Sequence, residues 1–433
     1  MDLSSAAVGL WVLHDDVKIG RLAYLAEDNL FSFIYESEWV ERRRFWLSPH
    51  IRADRPAPTG SVTRFLENLL PEGDGLRRLA QISRVNQSNL YGLIAAIGGE
   101  TTGALTIAVE PKAPATLFRP VARDELVSRI KDRRRTPIGS WDGKPRLSVA
   151  GVQEKLPIVE RAGEFGLGEG QIASTHILKF GNDRAEHLVI NEFFCMNLAR
   201  AAGLQVADCE VLALGERVLN VRRFDRIWEG TERVRRIHLI DGCQALDLSP
   251  TMKYERFLGD QDEVADIMGP ATLKNIYGFC SQASVPAKAK IEILRWVAFN
   301  LLIGNGDNHL KNVSFFVEDG AIRLAPFYDL ASVSMYPDLE QALAFQIGET
   351  FRPEEVNAYH LAVLAAELGL KKPFVAEQFR RVAQSVLRGL VGVDVGPCND
   401  EEARFLDRLK AETAARGERF LRELPQIAKF KSV

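Results

Sequence analysis

The residues best suited to chemistry form one short stretch, Asn305-Gly306-Asp307-Asn308-His309-Leu310-Lys311-Asn312. Asp307 precedes Asn312 by five residues, which is the spacing of the catalytic Asp and a metal-binding Asn in phosphoryl-transfer enzymes. The Asp accepts or orients the hydroxyl that is phosphorylated, and the Asn amide oxygen binds Mg²⁺. Asp329 lies seventeen residues after Asn312 and is a second acid for the same metal. We therefore predict Asp307 as a catalytic residue, with Asn312 and Asp329 as metal ligands.

Two further residues of this stretch are catalytic candidates, His309 and Lys311. His309 could orient Asp307 or help to neutralise the transferring phosphoryl group; the alternative is a packed histidine with a purely supporting role. For Asp307 and Asn312 the alternative is an ordinary polar turn, in which Gly-Asp-Asn is common.

A phosphate-binding loop is predicted at Ser148-Val149-Ala150-Gly151-Val152-Gln153-Glu154-Lys155, between two predicted strands. Small residues there would let backbone N–H groups approach phosphate oxygens closely. Because the stretch has one glycine, an ordinary hairpin loop remains the alternative. The ATP-binding candidates of this loop are Ala150, Gly151, Val152, Gln153 and Lys155.

A lysine suited to ATP phosphates lies on a third predicted strand, Thr175-His176-Ile177-Leu178-Lys179-Phe180. Lys179 is an isolated charge in a mostly apolar strand, so it either extends to solvent or faces a buried anion. In kinase-like lobes the phosphate loop precedes the lysine strand, and the lysine lies on the third strand. The glycine-rich residues 162–171 fall one strand too late, so we interpret them as a flexible surface hairpin.

Length and composition indicate an ordinary soluble protein with more than one domain. A chain of 433 residues is too long for one core and predicts two or three domains. Its hydrophobic content of 46% and charged content of 26% are those of an ordinary soluble protein. The net charge of −3 gives no indication of nucleic acid or an anionic membrane as a direct partner.

Cysteine usage and targeting signals indicate a cytoplasmic protein without a membrane span. The five cysteines are scattered and form no CxxC pair, which argues against a disulfide framework or zinc site. The N-terminus lacks the basic flank and apolar stretch of a signal peptide. The longest apolar runs are far short of the roughly 20 residues that a membrane span needs.

The predicted elements would position the chemical residues. A β-rich module covers residues 1–112, and the proline-containing residues 111–120 are interpreted as a linker. Residues 145–241 are strand-rich with a helix at 185–202, and the arginine-rich residues 223–226 are predicted to form a salt-bridge corner. The remainder is mostly helical, and an apolar helix ends at Gly304. A hairpin at 313–325 would place Asn312 at its entrance and Asp329 just past its exit.

Together these motifs resemble the HipA family, the serine/threonine kinase toxins of bacterial HipA–HipB toxin–antitoxin pairs. The resemblance covers nearly the whole chain, and the short Gly-Asp-x-His-x-x-Asn core is shared more widely, with lipid kinases and aminoglycoside phosphotransferases. The family's phosphate loop reads S-[VI]-[AS]-G-x-Q-x-K. The matching segments are residues 65–73, 148–155, 174–179, 305–312 and 325–330.

The resemblance implies a bilobal protein-kinase-like fold of the α+β class. It divides the chain into an N-terminal subdomain (1–112), a kinase N-lobe (113–241) and a helical C-lobe (242–433). It implies Asp307 as catalytic base, Asn312 and Asp329 as Mg²⁺ ligands, and Lys179 on the phosphates of ATP. Ser148 matches the family's autophosphorylation serine, and a phosphate there would switch the enzyme off by adding negative charge beside the ATP phosphates.

The resemblance also implies partners. A small helix-turn-helix antitoxin of HipB type would bind the chain and make most of the DNA contacts, which agrees with the near-neutral charge of this chain. Aminoacyl-tRNA synthetases are targets in the family, so a cellular protein of that kind is the expected substrate.

One segment departs from the family pattern. The family hinge usually reads Gln-Glu-Asp before Cys-Gln, whereas this chain has Leu239-Ile240-Asp241-Gly242-Cys243-Gln244. Backbone atoms of a hinge can still hold adenine, so Ile240 and Asp241 are kept as ATP-binding candidates. The segment Lys253-Tyr254-Glu255 also matches the family, with no role assigned.

Two competing functions are weighed against the kinase toxin. A small-molecule phosphotransferase would share the Gly-Asp-x-His core, but Ser148 and the N-terminal subdomain favour the toxin. A catalytically idle co-repressor scaffold bound to a DNA-binding partner is the second alternative. The presence of Asp307, Asn312, Asp329 and Lys179 argues against it, because an idle kinase would usually have lost one of them.

Overall fold

The computed structural model describes residues 9–25, 30–42, 44–146, 153–182, 184–259, 264, 267–318 and 320–430. The chain forms two compact units, each assembled from separate stretches. The first comprises Met1–Asn182, Asp208–Pro250 and Phe315–Ile322. The second comprises Asp183–Ala207, Thr251–Ser314 and Arg323–Val433.

The strands of the described residues lie mostly in the first unit. In chain order they are β1 (Gly9–His14), β2 (Val17–Leu25), β3 (Leu30–Tyr35), β4 (Leu105–Ala108), β5 (Leu117–Pro120), β6 (Ser140–Trp141), β7 (Lys144–Pro145), β8 (Lys155–Arg161), β9 (Glu164–Glu169), β10 (His176–Phe180), β11 (Cys209–Ala213), β12 (Arg217–Arg222), β13 (Arg226–Glu229), β14 (Arg233–Arg236), β15 (Leu239–Asp241), β16 (Ser314–Glu318) and β17 (Ala321–Leu324).

The longer helices lie in the second unit. In chain order the α-helices are α1 (Ser37–Glu41), α2 (Ser61–Glu67), α3 (Gly73–Ser83), α4 (Leu90–Ile97), α5 (Arg123–Lys131), α6 (Leu188–Ala201), α7 (Gly242–Ala245), α8 (Leu273–Phe279), α9 (Pro286–Ile303), α10 (Ala358–Glu367), α11 (Lys372–Gly392) and α12 (Asp400–Glu423). In the part of the chain that the structure describes, no helix has the length and apolar character that crossing a membrane requires.

The N-terminal part of the first unit contains an antiparallel sheet of order β3-β2-β1-β4. The sequence predicts strands at 8–13, 18–24, 31–35 and 105–109 in this module, and the structure confirms all four with ends shifted by at most one residue. The sequence also predicts helices at 62–70 and 86–97, and the structure contains them as the shorter α2 and α4. Helix α3 was not predicted, because the Pro-Glu-Gly before it indicates only a break.

The same unit contains a larger antiparallel sheet of order β11-β12-β10-β8-β9-β5. One face packs against helix α5, whose Leu126 and Ile130 join Leu178 and Phe180 of β10 in a buried core. Because side chains alternate along a strand, Lys179 lies on the opposite face from these two β10 residues. The sheet therefore presents an apolar face to α5 and carries its lysine on the other face.

Two interpretations of this sheet were wrong. The glycine-rich residues 162–171 do form a hairpin, but their strand β9 is internal to the sheet, paired with both β8 and β5. The proline-containing linker likewise includes strand β5. A Cβ on Gly168 would lie 2.0 Å from the carbonyl oxygen of Ile172, and one on Gly166 would lie 2.3 Å from the Phe118 ring. These glycines are therefore required by close packing.

The predicted salt-bridge corner is confirmed. Asp225 lies 2.9 Å from the Arg223 guanidinium and 2.6 Å from that of Arg226, and all three residues are buried. Burial raises the pKa of Asp225, but the two guanidinium groups outweigh it and bring the pKa down to about 2. Asp225 also accepts a hydrogen bond of 3.1 Å from the Gly103 amide, so the corner is tied to the residues just before β4.

The second unit is built around helix α9. Pro286 at its start supplies a preset φ without losing an intrahelical bond. Trp296 of α9 stacks on Phe327 with ring centroids 5.7 Å apart. Asn191 of α6 donates from its side-chain amide to the Ser332 carbonyl and accepts from the Ser332 amide. Both contacts fix the stretch that contains Asp329.

Candidate active site

The stretch that carries Asp307 begins where helix α9 ends. Gly304 caps the helix in the left-handed region, with φ of 69°. A Cβ there would lie 2.4 Å from the Ser334 hydroxyl, and the Ser334 amide donates to the Gly304 carbonyl at 2.9 Å. Only glycine meets both conditions without strain, so this residue determines where the helix stops and where the stretch that carries Asp307 starts.

The backbone of Asp307 is held on both sides by asparagine side chains. Asn305 donates from its side chain to the Asn300 side chain at 2.7 Å, and its own Oδ1 accepts from the Asp307 amide at 3.1 Å. Asn312 donates from Nδ2 to the Asp307 carbonyl at 2.9 Å. The five-residue spacing found in the sequence thus corresponds to a direct contact between the two residues.

The carboxylate of Asp307 reaches solvent, with a side-chain exposure of 56%. The Tyr254 hydroxyl donates to its Oδ1 at 2.5 Å. His309 Nε2 lies 3.9 Å from the same oxygen, which is beyond hydrogen-bond distance. An exposed carboxylate held by a phenol is accessible to the hydroxyl of an incoming acceptor.

His309 is buried. Burial lowers the pKa of its imidazole well below 6.5, and the nearby Lys253 and Lys311 lower the pKa further. A lowered pKa disfavours the charged imidazolium, and both predicted roles of His309 stay predictions. The ring packs edge-on against Tyr254, with centroids 5.1 Å apart at 80°.

Lys311 lies in a short 3₁₀ turn, Leu310–Asn312, and is also buried. Its backbone carbonyl accepts a 2.7 Å hydrogen bond from the Tyr328 hydroxyl. The same hydroxyl is 2.7 Å from the Ser314 hydroxyl. The residue before Asp329 is therefore bonded to the residue before Asn312, which brings the two predicted metal-binding segments together.

Asp329 has a left-handed backbone, with φ of 54°. The segment before it is anchored through Phe327, whose amide donates to Gln205 at 2.8 Å and whose carbonyl accepts from Ala207 at 2.9 Å. Asp and Asn tolerate this φ better than other residues with side chains. The residue type that a metal site needs is also one that this backbone position accepts.

The donor set in the second unit fits Mg²⁺. The Asn312 side-chain nitrogen is engaged by the Asp307 carbonyl, so its oxygen Oδ1 is the atom that would contact a cation. Asp329 would supply a carboxylate oxygen, and Mg²⁺ typically takes one or two such protein ligands and retains several waters. Among the described residues there is no group of three or more His, Cys, Asp or Glu side chains that could hold a metal. The described part of the chain therefore contains no metal centre built from three or more of these side chains.

In the first unit, Lys179 lies directly opposite Lys155 on the neighbouring antiparallel strand. Cross-strand partners share one face of a sheet, and both lysines are buried, with exposures of 5% and 8%. This face of the sheet therefore carries two buried basic side chains. Gln153 precedes them and donates from its side-chain amide to the Phe180 carbonyl at 3.0 Å.

Four candidates of the predicted phosphate loop lie outside the described residues: Ser148, Ala150, Gly151 and Val152. The described residues on either side of the loop are Arg146 and Gln153, and each lies against the sheet. Arg146 donates to the Gly168 carbonyl at 2.8 Å.

The hinge candidates Ile240 and Asp241 lie on β15. Ile240 is fully buried. The Asp241 side chain accepts from the Gln244 amide at 2.8 Å, and the Gln244 side chain accepts from the Asp241 amide at 3.0 Å. This is a capping box for α7. The Asp241 side chain thus has a structural task, and its role toward ATP stays a prediction.

The structure groups the described candidates by unit. Gln153, Lys155, Lys179, Ile240 and Asp241 belong to the first unit, and Asp307, His309, Lys311, Asn312 and Asp329 to the second. Sequence reasoning gave no role to Tyr254, although its segment was noted. Its contact with Asp307 joins residues far apart in the chain, which no spacing rule reveals.

Two family descriptions match this chain. The HipA N-terminal domain matches residues 10–108, and the HipA-like C-terminal domain matches residues 147–390. The second match alone covers more than half of the chain. Together they include most of the N-terminal sheet, the lysine-bearing strands β8 and β10 of the larger sheet, and the stretch that carries Asp307.

Individual relatives and a solved structure are also similar to this chain. The serine/threonine-protein kinase toxin HipA of Shewanella oneidensis is 40% identical over 94% of both chains. A putative kinase of Sinorhizobium fredii is 35% identical over 83% of this chain and 86% of its own. A solved complex of HipA, HipB and operator DNA from Shewanella oneidensis contains a chain with a TM-score of 0.88 and 38% identity, covering 98% of this chain and 100% of that one. The predicted α+β kinase-like fold is confirmed by this likeness.

Proposed function

Because the chain belongs to the HipA family of serine/threonine-protein kinase toxins, we propose that it transfers the γ-phosphoryl group of ATP to a serine or threonine of a cellular protein. The acceptor oxygen forms a new bond to the γ-phosphorus, the bond to the β–γ bridging oxygen breaks, and ADP leaves. Catalysis of this kind depends on positioning and on neutralising charge.

Asp307 is the proposed base. Its backbone is held by Asn305 and Asn312, and its carboxylate is exposed to an acceptor. The carboxylate orients the acceptor hydroxyl and takes its proton as the new bond forms. The hydrogen bond from Asn312 to the Asp307 carbonyl is the observation that carries the proposal, because it gives the two residues of the motif a shared geometry.

The cationic face of the large sheet is the proposed contact for the phosphates of ATP. Lys179 and its cross-strand partner Lys155 offer two buried ammonium groups on one face. Ala150, Gly151, Val152 and Gln153 are proposed to surround the phosphates with backbone N–H groups. Ile240 and Asp241 remain proposed adenine contacts through their backbone.

Magnesium is the proposed cofactor, with Asn312 and Asp329 as its protein ligands. When bound, it would neutralise negative charge on the phosphate oxygens. The chain itself would supply two oxygen donors, one from Asn312 and one from Asp329. Tyr328 supports both segments, since its hydroxyl is bonded to the Lys311 carbonyl.

Ser148 is the proposed site of autophosphorylation and self-inactivation. A phosphate there would place close to two negative charges beside the proposed ATP phosphate site. Repulsion would then reduce ATP binding. Such a switch would limit the damage that a toxin causes to its own cell.

The proposed partners follow the relative of known structure. The Shewanella HipA was solved with HipB and operator DNA, and we propose a HipB-like antitoxin as the partner of this chain, with DNA contacted mainly by the antitoxin. The proposed substrate is an aminoacyl-tRNA synthetase, and the proposed compartment is the cytoplasm.

Mass spectrometry after incubation with MgATP tests this proposal. We expect phosphate on Ser148 of the chain and on serine or threonine of an added synthetase mixture. Asp307→Asn and Asp329→Asn variants should show neither, with unchanged melting temperatures; Asn is chosen at 329 because it accepts the left-handed φ. Phosphorylation that persists in both variants would refute the assigned roles, and wild-type protein that modifies only small molecules would favour the phosphotransferase alternative.

A further inference from the structure

The segment Lys253-Tyr254-Glu255 runs beside the catalytic loop. The Leu310 amide donates to the Lys253 carbonyl at 3.2 Å. The Glu255 amide donates to the Ala344 carbonyl at 3.0 Å, and the Ala344 amide donates to the Gly306 carbonyl at 2.9 Å. The segment is therefore bonded to the loop directly at one end and through Ala344 at the other.

Glu255 adds a side-chain anchor to this arrangement. Its carboxyl Oε2 accepts a hydrogen bond of 2.8 Å from the Gln346 amide. The Glu255 carbonyl also accepts from the Gly269 amide at 2.7 Å. Backbone and side-chain bonds thus hold the residue next to Tyr254 in one place, and the tyrosine is presented from a fixed support.

Tyr254 uses this support to reach Asp307. Its hydroxyl donates to Asp307 Oδ1 at 2.5 Å, a length typical of a hydroxyl bound to a carboxylate. Its ring packs edge-on against the buried His309 ring. The phenol is therefore oriented by contacts of its own and does not depend on Asp307 for its position.

The hydrogen bond from Tyr254 restricts the conformation of the Asp307 carboxylate. The asparagine bonds described above hold only its backbone, while its side chain is 56% exposed. An exposed carboxylate populates several rotamers, and a displacement of about 1 Å in a reacting group can cost about a hundredfold in rate. A hydroxyl bound to Oδ1 selects one rotamer.

We propose that Tyr254 is a positioning residue of the phosphoryl-transfer reaction, which holds the Asp307 carboxylate in the rotamer that receives the acceptor hydroxyl. This inference rests on the proposed role of Asp307 as the base. His309 contributes indirectly, because its buried ring is the surface against which the Tyr254 ring packs. This packing gives the buried His309 a structural role beside Asp307.

Tyr254→Phe removes the hydroxyl and keeps the ring. With radiolabelled MgATP and casein as acceptor, counting phosphate on casein and on the chain, we expect the maximal transfer rate to fall by about 10- to 100-fold. The ATP concentration for half-maximal rate should stay within about twofold, because the tyrosine acts on the carboxylate and not on the nucleotide.

The matched control is Tyr359→Phe. Tyr359 also donates its hydroxyl to a carboxylate, Glu349, at 2.9 Å within the same unit. Its loss should leave the rate unchanged. Equal rate losses in both variants would show a general effect of removing a phenol and would overturn the proposal.

A double-mutant cycle separates positioning from a merely structural role. If Tyr254 acts through the carboxylate, adding Tyr254→Phe to Asp307→Ala should cause no further loss of the residual rate. Additive losses would overturn the inference, as would a full rate in Tyr254→Phe or a change confined to the half-maximal ATP concentration. Wild-type protein that transfers no phosphate would instead refute the proposed function itself.

Discussion

At the residue scale, hydrogen bonds with the side chains of Asn305 and Asn312 hold the backbone of Asp307. The Asp–Asn spacing reflects a local geometry, which the structure shows as the hydrogen bond from Asn312 to the Asp307 carbonyl. Asn305 was within the motif but had no role until its bonds to Asn300 and Asp307 were visible. Tyr254 is distant in sequence, and side-chain contacts between distant segments leave no periodic signal.

Lys179→Met tests the cationic face of the large sheet. Charge-assisted hydrogen bonds to phosphate contribute about 1.5–3 kcal/mol, so the ATP concentration for half-maximal phosphorylation should rise at least about tenfold. Steady-state transfer of radiolabel at increasing MgATP measures this. Lys144→Met is the control, since Lys144 is an exposed residue paired with Glu169, and its loss should leave ATP dependence unchanged. Unaltered ATP dependence in Lys179→Met would contradict the assignment.

At the element scale, local patterns predicted many of the strands and the helices α6 and α9, whereas α11 and α12 were predicted only as part of a mostly helical region. Helix α9 is an example, because its apolar run and its terminal Gly304 are both visible in the sequence. Strand β9 is the counterexample. Its glycines suggested flexibility, yet Gly166 and Gly168 are tightly packed by neighbouring strands and loops. Non-local pairing decides such segments, so local composition predicts them poorly.

Asp225→Asn tests the salt-bridge corner that joins the N-terminal sheet to β13. Removing the carboxylate takes the nearest acidic partner from two buried guanidinium groups and leaves them Glu100, at 3.3 Å from Arg223 and 3.7 Å from Arg226. Breaking a buried ion pair typically costs about 3–5 kcal/mol of unfolding free energy, and we expect a loss toward the lower end of this range. Urea unfolding would measure it. The control is Asp54→Asn, which breaks the exposed contact with Arg52 and should not move the unfolding midpoint measurably. Similar midpoints for both variants would show that the corner contributes little.

His238 predicts a loss of stability in acid. Burial is the main cause that lowers the pKa of its imidazole to about 4 from an ordinary 6.5, with the Leu47 carbonyl opposing and His14 assisting. The unfolded chain therefore takes up a proton below pH 6.5 that the folded chain refuses. The contribution of neutral, buried His238 to the unfolding free energy is complete above pH 6.5. The unfolding free energy then decreases by about 3 kcal/mol as the pH falls to 4.

The measurement for His238 is urea unfolding at several pH values between 7 and 4. His238→Gln should show a shallower decline of unfolding free energy with falling pH than the wild type, whatever its stability at neutral pH. Parallel declines in the two proteins would show that other groups, such as His14, cause the acid sensitivity.

At the scale of the whole molecule, the compact units do not correspond to continuous stretches of the sequence. The first compact unit includes Phe315–Ile322, a short piece of hairpin that follows much of the second unit in the chain. Patterns read along the sequence produce continuous domains, because they contain no information on which distant segments pack together. The predicted boundaries near residues 112 and 241 stay predictions.

The family, by contrast, was predictable at this scale. Several motifs in a fixed order are far more specific than any one of them, and the order from phosphate loop to lysine strand to catalytic loop is retained in this chain. The likeness of the fold to a solved HipA chain over 98% of this chain confirms that prediction. The departure at residues 239–241 falls on β15, whose Asp241 caps the following helix.

The most direct test of the central claim is the single-turnover rate of phosphoryl transfer from radiolabelled MgATP to protein serine or threonine. The wild type and an Asp338→Asn control, which changes an exposed aspartate of the same unit, should transfer phosphate at equal rates. Asp307→Asn should be slower by at least about a thousandfold while melting at the same temperature. Transfer at the wild-type rate by folded Asp307→Asn would contradict the claim that this carboxylate is the base of a protein kinase.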